Sequence, residues 1–493
     1  MSGYVGMSGP VNPAQEWAVM AAERGSKPAL SGDDQTVAWA DLALRGARLA
    51  ALLGGLPAGN VALYVNNAPA VMECWLGASL DGRVPVVVPT RYKAEGLVEM
   101  LKAVDTGVLV FHASFAMRIW EIRSTLPAQL AFIQIDDNTE VLLDFADDYE
   151  RLLREVDTPH EPPGTGTGTA RPVLQFSAGV RGPARCRQVD QTRLLEHLGA
   201  LSTWLGASAA PTTMLACPLS SIAGAWYGAL WTLGAGGHLI TTTRPFNADH
   251  VLALAQQHRA SRIVLGGGPH LRDLLRALGF AQRRGDPYAL SDLQEIVCTG
   301  VAVDDDVALG VVQLLPHVQV VDVWTALEGP VGVRSLTSAA HNAAFFPWPG
   351  VEAREGSDGA EVWVAAWEMG ADGSCASGDL AVQDGSGLCW RGRVLDRFEI
   401  AGKEAYALSI ERVLMTHADV TDCLVVRVDA GLVALVAPLD DEEDIPLDAL
   451  PQLFVEANDV VQPDRFLQVF AIKRGANAKP DYVWASNHAQ RFA

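Results

Sequence analysis

Positive charge is scarce in this chain. Lys and Arg together number 37 against 58 Asp and Glu, which gives a formal net charge of −21 over 493 residues. Such an acidic balance keeps a protein in solution and opposes attraction to the phosphate backbone of nucleic acid or to an anionic membrane. Nucleic acid is therefore not an expected partner. Cysteine is sparse too: seven residues spread from Cys74 to Cys423, with no CxxC pair and no His-rich tract. That spacing lacks the signature of a zinc site and points to reduced thiols in a reducing compartment. Gly, Pro or charge interrupts every apolar run before the ~18 residues of a membrane span. The opening MSGYVGMSGPVNPAQEW lacks the basic-then-apolar order of a secretory signal. A soluble, cytoplasmic protein without a membrane span is expected.

What is present is a globular composition, 49% hydrophobic and 19% charged, in a chain long enough for two to four domains. Residues 40–56 (ADLALRGARLAALLGGL) carry helical periodicity and end in glycines. The apolar runs VALYV (61–65), VPVVVPT (84–90) and GVLVFH (107–112) alternate with the helical stretches 68–80 and 94–104. Strands separated by helices at this spacing imply βαβ units and a parallel sheet. A low-complexity segment, EPPGTGTGTARP (161–172), reads as a linker or exposed loop. After it the helix 191–206 leads into a second alternating series, TMLACPL, WYGALWTLGAG, HLITTT, DHVLALAQQH and RIVLGGG. From about residue 360 short strands with Gly/Asp turns take over (EVWVAAW, GDLAVQD, GLCWRGR). The last hundred residues are small and mixed: a helix (SIERVLMTH), two strands (CLVVRV, LVALVAP), an acidic turn, and a final helix and strand. The fold class expected is α/β, a large N-terminal domain of stacked sheets and helices (1–393) and a small mobile α+β C-terminal domain (394–493).

Against the acidic background one basic cluster stands out. Residues 174–188, LQFSAGVRGPARCRQ, run from an apolar strand into a loop with two glycines and three arginines. Glycines let a backbone approach phosphate oxygens, and a cation beside them completes an anion cradle. Taken alone, the loop is equally compatible with a solvated basic turn. Four further stretches bear on it. VWTALEG (323–329) offers an aromatic and a carboxylate, the hard oxygen ligand that Mg²⁺ prefers when it bridges phosphates. CASGDLAVQ (375–383) puts Asp379 at the start of a strand, where its two oxygens can accept two hydrogen bonds. WRGRVLD (390–396) follows with Arg393, and KRGANAKPDY (473–482) carries Lys479 near the C-terminus.

Taken in order, these stretches resemble the AMP-forming acyl and aryl adenylate synthetases: acyl-CoA ligases, adenylation domains of peptide synthetases, and firefly luciferase. The likeness spans nearly the whole chain. The quoted loop is similar to the family's S-G-T-T-G-x-P-K-G, with Ser177, Gly179 and Gly182 in place. Val180 and Arg181 stand for its threonines, Arg185 for its lysine, and Arg181 adds a further charge. VWTALEG resembles Y-G-x-T-E, with Thr325 and Leu327 in place of Gly and Thr. The segment with Asp379 resembles Y-R-T-G-D, WRGRVLD resembles G-R-x-D-D, and the C-terminal stretch resembles R-T-P-S-G-K-I-D.

The resemblance implies ATP-dependent activation of a carboxylic acid to an acyl-adenylate, with pyrophosphate released. Transfer to the thiol of CoA or of a carrier-protein phosphopantetheine would follow. It implies phosphate binding by Ser177, Gly179, Gly182 and Arg185, a Mg²⁺ ligand in Glu328, and adenine flanked by Trp324. Gly300 and Thr325 would belong to the nucleotide site, and Asp379 and Arg393 would hold ribose and phosphate. Lys479 would carry the first chemical step. The acid is expected to be lined by 221–232 and 266–271. Two further departures accompany the altered loop: Ser221 replaces the His of P-L-x-H, and Leu395 replaces a hinge Asp or Lys. A second reading stays open, a relative that binds nucleotide, acyl-adenylate or a partner protein without turnover.

Overall fold

The computed structural model describes residues 13–139, 141–156, 172–206, 210–336, 344–356, 359–368, 373–400, 403–438, 444–457 and 459–492. The stretch 161–171 and most of the acidic turn lie outside them. Among the described residues two large sheets dominate. One has nine strands, in the spatial order Phe346–Pro347, Gly329–Leu336, Gln319–Ala326, Glu295–Thr299, Arg262–Leu265, Thr212–Ala216, His238–Ile240, Pro28–Ser31, Thr36–Ala38. From Gln319–Ala326 through Pro28–Ser31 its neighbours pair in parallel. The other is parallel and five-stranded, in the order Pro85–Val87, Asn60–Tyr64, Thr106–His112, Ala131–Ile135, Asp147–Asp148. Strands such as Arg262–Leu265 and Glu295–Thr299 are buried at every position, because helices cover both faces of a parallel sheet.

Helices pack between and around these sheets for local reasons that can be named. Gln191–Leu205 starts where the Asp190 carboxylate accepts the Thr192 and Arg193 amides at 2.8 and 3.1 Å. It ends at Gly206, which takes the left-handed conformation (φ 60°) that glycine adopts without strain. Its apolar face, Leu194, Leu198 and Leu201, is fully buried in the shared core with Trp39, Trp226 and Trp231. Truncating one such leucine to alanine costs about 2–5 kcal/mol. The expected helix 226–236 is in part a π-helical segment, Ala223–Leu230, continued by Trp231–Gly234. Gly224 allows it: a Cβ there would lie 2.1 Å from the Pro218 carbonyl oxygen.

The strand-rich region after residue 350 is a four-stranded antiparallel sheet, Glu352–Gly356, Gly359–Ala365, Ser374–Asp384, Gly387–Arg393. It corrects one expectation. Asp379 does not start a strand but sits within Ser374–Asp384, opposite Arg393. A 3₁₀ turn, Val394–Asp396, then leads into the small C-terminal part. There the hairpin Val420–Val428 and Gly431–Pro438 is joined in parallel by Arg465–Gln468, with helix Ala407–Leu414 on one side. Helix Tyr482–Phe492, which the sequence reading did not foresee, buries Ala485 and Ala489 on the other. The α/β fold with a large N-terminal and a smaller C-terminal domain is the one observed. No helix among the described residues is long and apolar enough to cross a membrane, and all seven cysteines are free thiols.

Candidate functional site

The carboxyl ends of the parallel strands in the nine-stranded sheet open onto a cavity of about 510 Å³. That end of an open α/β sheet is where ligands bind, because the chain turns there expose backbone groups that the strands do not consume. The nucleotide, metal and catalytic candidates from the sequence all line this cavity: Ser177, Gly179, Gly182, Arg185, Gly300, Trp324, Thr325, Glu328, Asp379, Arg393 and Lys479. So do Leu395, which is 69% exposed, and Ser221. The charged side chains of the lining are Arg91, Arg181, Arg185, Arg393 and Lys479 against Asp322, Glu328 and Asp379. In a chain of net charge −21 this is a local excess of cations, and low-dielectric walls focus its field on an anionic ligand.

The glycine-rich loop is closed on itself. The Ser177 amide donates to the Arg185 carbonyl at 2.8 Å, and the Arg185 amide donates to Ser177 Oγ at 2.9 Å. Gly179 has φ 55°, and a Cβ there would fall 1.7 Å from the Tyr92 hydroxyl, so no other residue fits without rebuilding the contact. Arg91 donates to the Gly179 carbonyl and, at 2.9 Å, to the Tyr92 hydroxyl, bracing the loop from the end of Pro85–Val87. Among the described residues the Arg185 guanidinium has no partner and is available to an anion. Arg181 is not: its guanidinium pairs with Asp396 and lies 3.5 Å above the Tyr482 ring. The extra charge expected for phosphate is thus committed to the C-terminal part.

Glu328 lies in the two-residue turn between Gln319–Ala326 and Gly329–Leu336. Its side chain is 13% exposed, and Oε1 stands 3.4 Å from Arg187 Nη2, whose other nitrogen binds Glu368 at 2.8 Å. No group of three His, Cys, Asp or Glu side chains able to hold a metal occurs among the described residues. A single carboxylate facing a phosphate cradle nevertheless fits Mg²⁺, which takes one or two protein carboxylates and completes its shell with phosphate oxygens and water.

The opposite wall is built from Trp324, Asp379 and Arg393. The Trp324 indole N–H donates to Asp379 Oδ2 at 3.1 Å, while Oδ1 faces Arg393 Nε at 3.4 Å. Asp379 is buried, and its amide is fixed by Ser377 Oγ at 3.1 Å. Each carboxylate oxygen keeps a lone pair for one more donor. Thr325 is partly spoken for, since its hydroxyl bonds the Tyr227 hydroxyl at 2.7 Å; Tyr227 in turn meets His197 Nε2 at 3.0 Å. Burial pushes the His197 imidazole down to about 3, so it stays neutral in this network.

Lys479 arrives from the C-terminal part. Its segment is tied back by a bridge between Arg474 and Pro480 and by Arg474 on Asp422 at 2.7 Å. The Asn477 backbone packs so tightly on Gly266 that a Cβ there would meet it at 2.8 Å. Gly300 takes φ 110°, a left-handed conformation that favours glycine, and lies beside the lysine: a Cβ there would stand in ordinary contact, 3.5 Å, with Lys479 Cε. Desolvation, with Arg393 adding to it, holds the Lys479 ammonium below the ordinary lysine value, and Asp379 opposes the shift.

The acid-pocket expectation needs correction. Of 221–232 just Ser221, Ile222 and Ala223 reach the cavity, and of 266–271 none does. Trp226 through Thr232 are packed into the core, and His270 stacks on Phe246 with ring centres 3.9 Å apart. The sequence reading assigned no role to Arg91, Arg187 or Tyr482. Arg91 was findable, because it follows a parallel strand at its carboxyl end.

Three comparisons bear on this cavity. A family model described as AMP-binding enzyme matches residues 17–362. A ligase of Mycolicibacterium smegmatis, named for medium- and long-chain fatty acids and 3-oxocholest-4-en-26-oate as acids joined to CoA, is 23% identical over 486 residues, covering 87% of each chain. Among solved structures, a benzoate CoA ligase from Burkholderia xenovorans LB400 superposes with a TM-score of 0.81 at 18% identity, over 97% of this chain and all of that one. An anthranilate CoA ligase solved with anthranoyl-AMP gives 0.81 at 16% identity over 100% of this chain and 99% of that one.

Proposed function

The chain belongs to the AMP-binding enzyme family, and from that membership we propose that it joins a small carboxylic acid to a thiol at the expense of ATP. In the first half-reaction a carboxylate oxygen attacks the α-phosphorus, forming the acyl-adenylate as the bond to pyrophosphate breaks. In the second a thiolate attacks the acyl carbonyl and AMP leaves. The observation that carries the reading is Lys479, on the C-terminal part, seated against Gly300 in the cavity that also holds Asp379, Trp324 and the glycine-rich loop.

Carboxylate and α-phosphate are both anionic, so bringing them together requires a cation between them. An ammonium already desolvated in the cavity supplies it without reorganisation at the moment of reaction. Arg185 would hold the departing phosphates, Ser177 and the loop glycines would cradle them, and Arg393 and Asp379 would fix the ribose end. Magnesium, when bound at Glu328, would neutralise phosphate charge. The 3₁₀ turn at Val394–Asp396 would mark the boundary of a C-terminal domain that moves between the half-reactions, with Leu395 at the hinge. CoA is the acceptor we favour because the relatives are named CoA ligases; a carrier-protein phosphopantetheine would present the same thiol.

One observation favours a second reading. Val180 and Arg181 hold the places of hydroxyl residues in the phosphate loop, and Arg181 is turned away to Asp396. A non-catalytic nucleotide or acyl-adenylate binder follows from that. ATP–pyrophosphate exchange across a panel of aliphatic and aromatic acids separates the two. Acid-dependent exchange supports the ligase, and nucleotide binding with no exchange for any acid overturns it.

A further inference from the structure

Arg181 occupies the middle of the glycine-rich loop, yet its guanidinium touches two residues of the C-terminal part that lie far away in sequence. One is Asp396, buried at the end of the turn Val394–Asp396; the other is Tyr482, three residues after Lys479. The first contact is a charge pair, the second a cation over an aromatic face at 3.5 Å. Both are geometries in which planar guanidinium outperforms lysine. No other cationic side chain of the loop does this: Arg185 has no partner among the described residues, and Arg187 is held by Glu328 and Glu368.

We infer that Arg181 is a positioning residue that clamps the Lys479 segment against the phosphate loop. One side chain closes a circuit from the loop to the turn entering the C-terminal part and to the helix immediately following the lysine. Burial draws the Asp396 carboxyl upward in pKa while Arg181, and Arg393 beside it, draw it down; Arg181 is the one that pairs with it directly inside the interface. An unpaired buried carboxylate would be costly, so loss of Arg181 favours separation of the two surfaces. Asn477 on Gly266 and Lys479 beside Gly300 are the contacts released. The clamp therefore acts on the step that needs Lys479 and not on nucleotide affinity. The inference rests on the adenylation reading above, but its geometric part stands apart from activity.

The test uses the full chain with Arg181→Thr, Arg181→Lys and Tyr482→Leu. Hydrogen–deuterium exchange of 473–482 is measured alongside the kcat and KM of ATP–pyrophosphate exchange and the rate of thioester formation from preformed acyl-AMP. The expected result is faster deuterium uptake in 473–482, an adenylation kcat reduced ten- to a hundredfold with KM for ATP within about twofold, and undiminished thioester formation. Arg181→Lys should fall between, keeping a charge for Asp396 but not the planar stack on Tyr482. A rise in KM with kcat unchanged would make Arg181 a phosphate ligand and overturn the proposal. So would unaltered deuterium uptake, or equal loss in both half-reactions. Absence of exchange in the unsubstituted protein would defeat the adenylation reading alone, because deuterium uptake still reports whether the clamp exists.

Discussion

Replacing Lys479 by alanine should stop the first half-reaction and spare the second. The lysine makes no hydrogen bond through Nζ to any described residue, so its removal orphans no buried acceptor. Asp379 keeps the Trp324 indole at 3.1 Å and Arg393 at 3.4 Å. The change in folding stability should therefore be small, because no buried pair or hydrogen bond is broken. The kinetic loss is of another size. Deleting one preorganised charged or polar donor from a desolvated site typically costs about 3–4 kcal/mol of transition-state stabilisation, or 10²–10³ in rate. Exchange of labelled pyrophosphate into ATP should fall by that factor, with KM for ATP nearly unchanged because Arg185, Trp324 and Asp379 remain. In single-turnover mixing of preformed acyl-AMP with the thiol, the variant should keep the rate of the unsubstituted protein. Equal loss in both assays, or exchange that survives intact, would refute the role given to this lysine.

Other outcomes follow from the same geometry. Arg185→Ala should raise KM for ATP about tenfold, the loss of one charge-assisted hydrogen bond of ~1.5 kcal/mol, while leaving acid affinity intact; an unchanged ATP dependence would make the loop a solvated turn. Arg187→Gln should lower the Mg²⁺ concentration for half-maximal exchange, since Arg187 stands 3.4 Å from the Glu328 carboxylate and competes with a cation there; a higher requirement would contradict that competition. The pH profile should lose its alkaline side early. The charged form of Lys479 is the active one, and desolvation holds its pKa below the ordinary lysine value. Exchange should thus decline as pH rises through that lowered value, and Lys479→Arg should flatten the decline whatever it does to the maximum.

Much of this protein is legible along the chain. Alternating apolar and amphipathic stretches mark the parallel sheets, because strands covered on both faces read as unbroken apolar runs, as in Arg262–Leu265. Asp190 and Gly206 announce the ends of their helix through local backbone bonding. The candidate site residues are legible because motif order survives where motif detail does not, and the parallel sheet delivers its strand ends to one cavity. Partner choice is another matter. Arg181 meets Asp396 across 215 positions and Arg187 meets Glu328 across 141, so nothing near either arginine indicates whether its charge serves a phosphate or a carboxylate of the same chain. The resemblance places 221–232 along the acid pocket, yet a π-helical segment and the packing of Trp226, Tyr227 and Trp231 turn most of it inward. Local physics set where strands, helices and turns occur; the docking of the C-terminal part onto the large sheet set which charges remain free to meet a ligand.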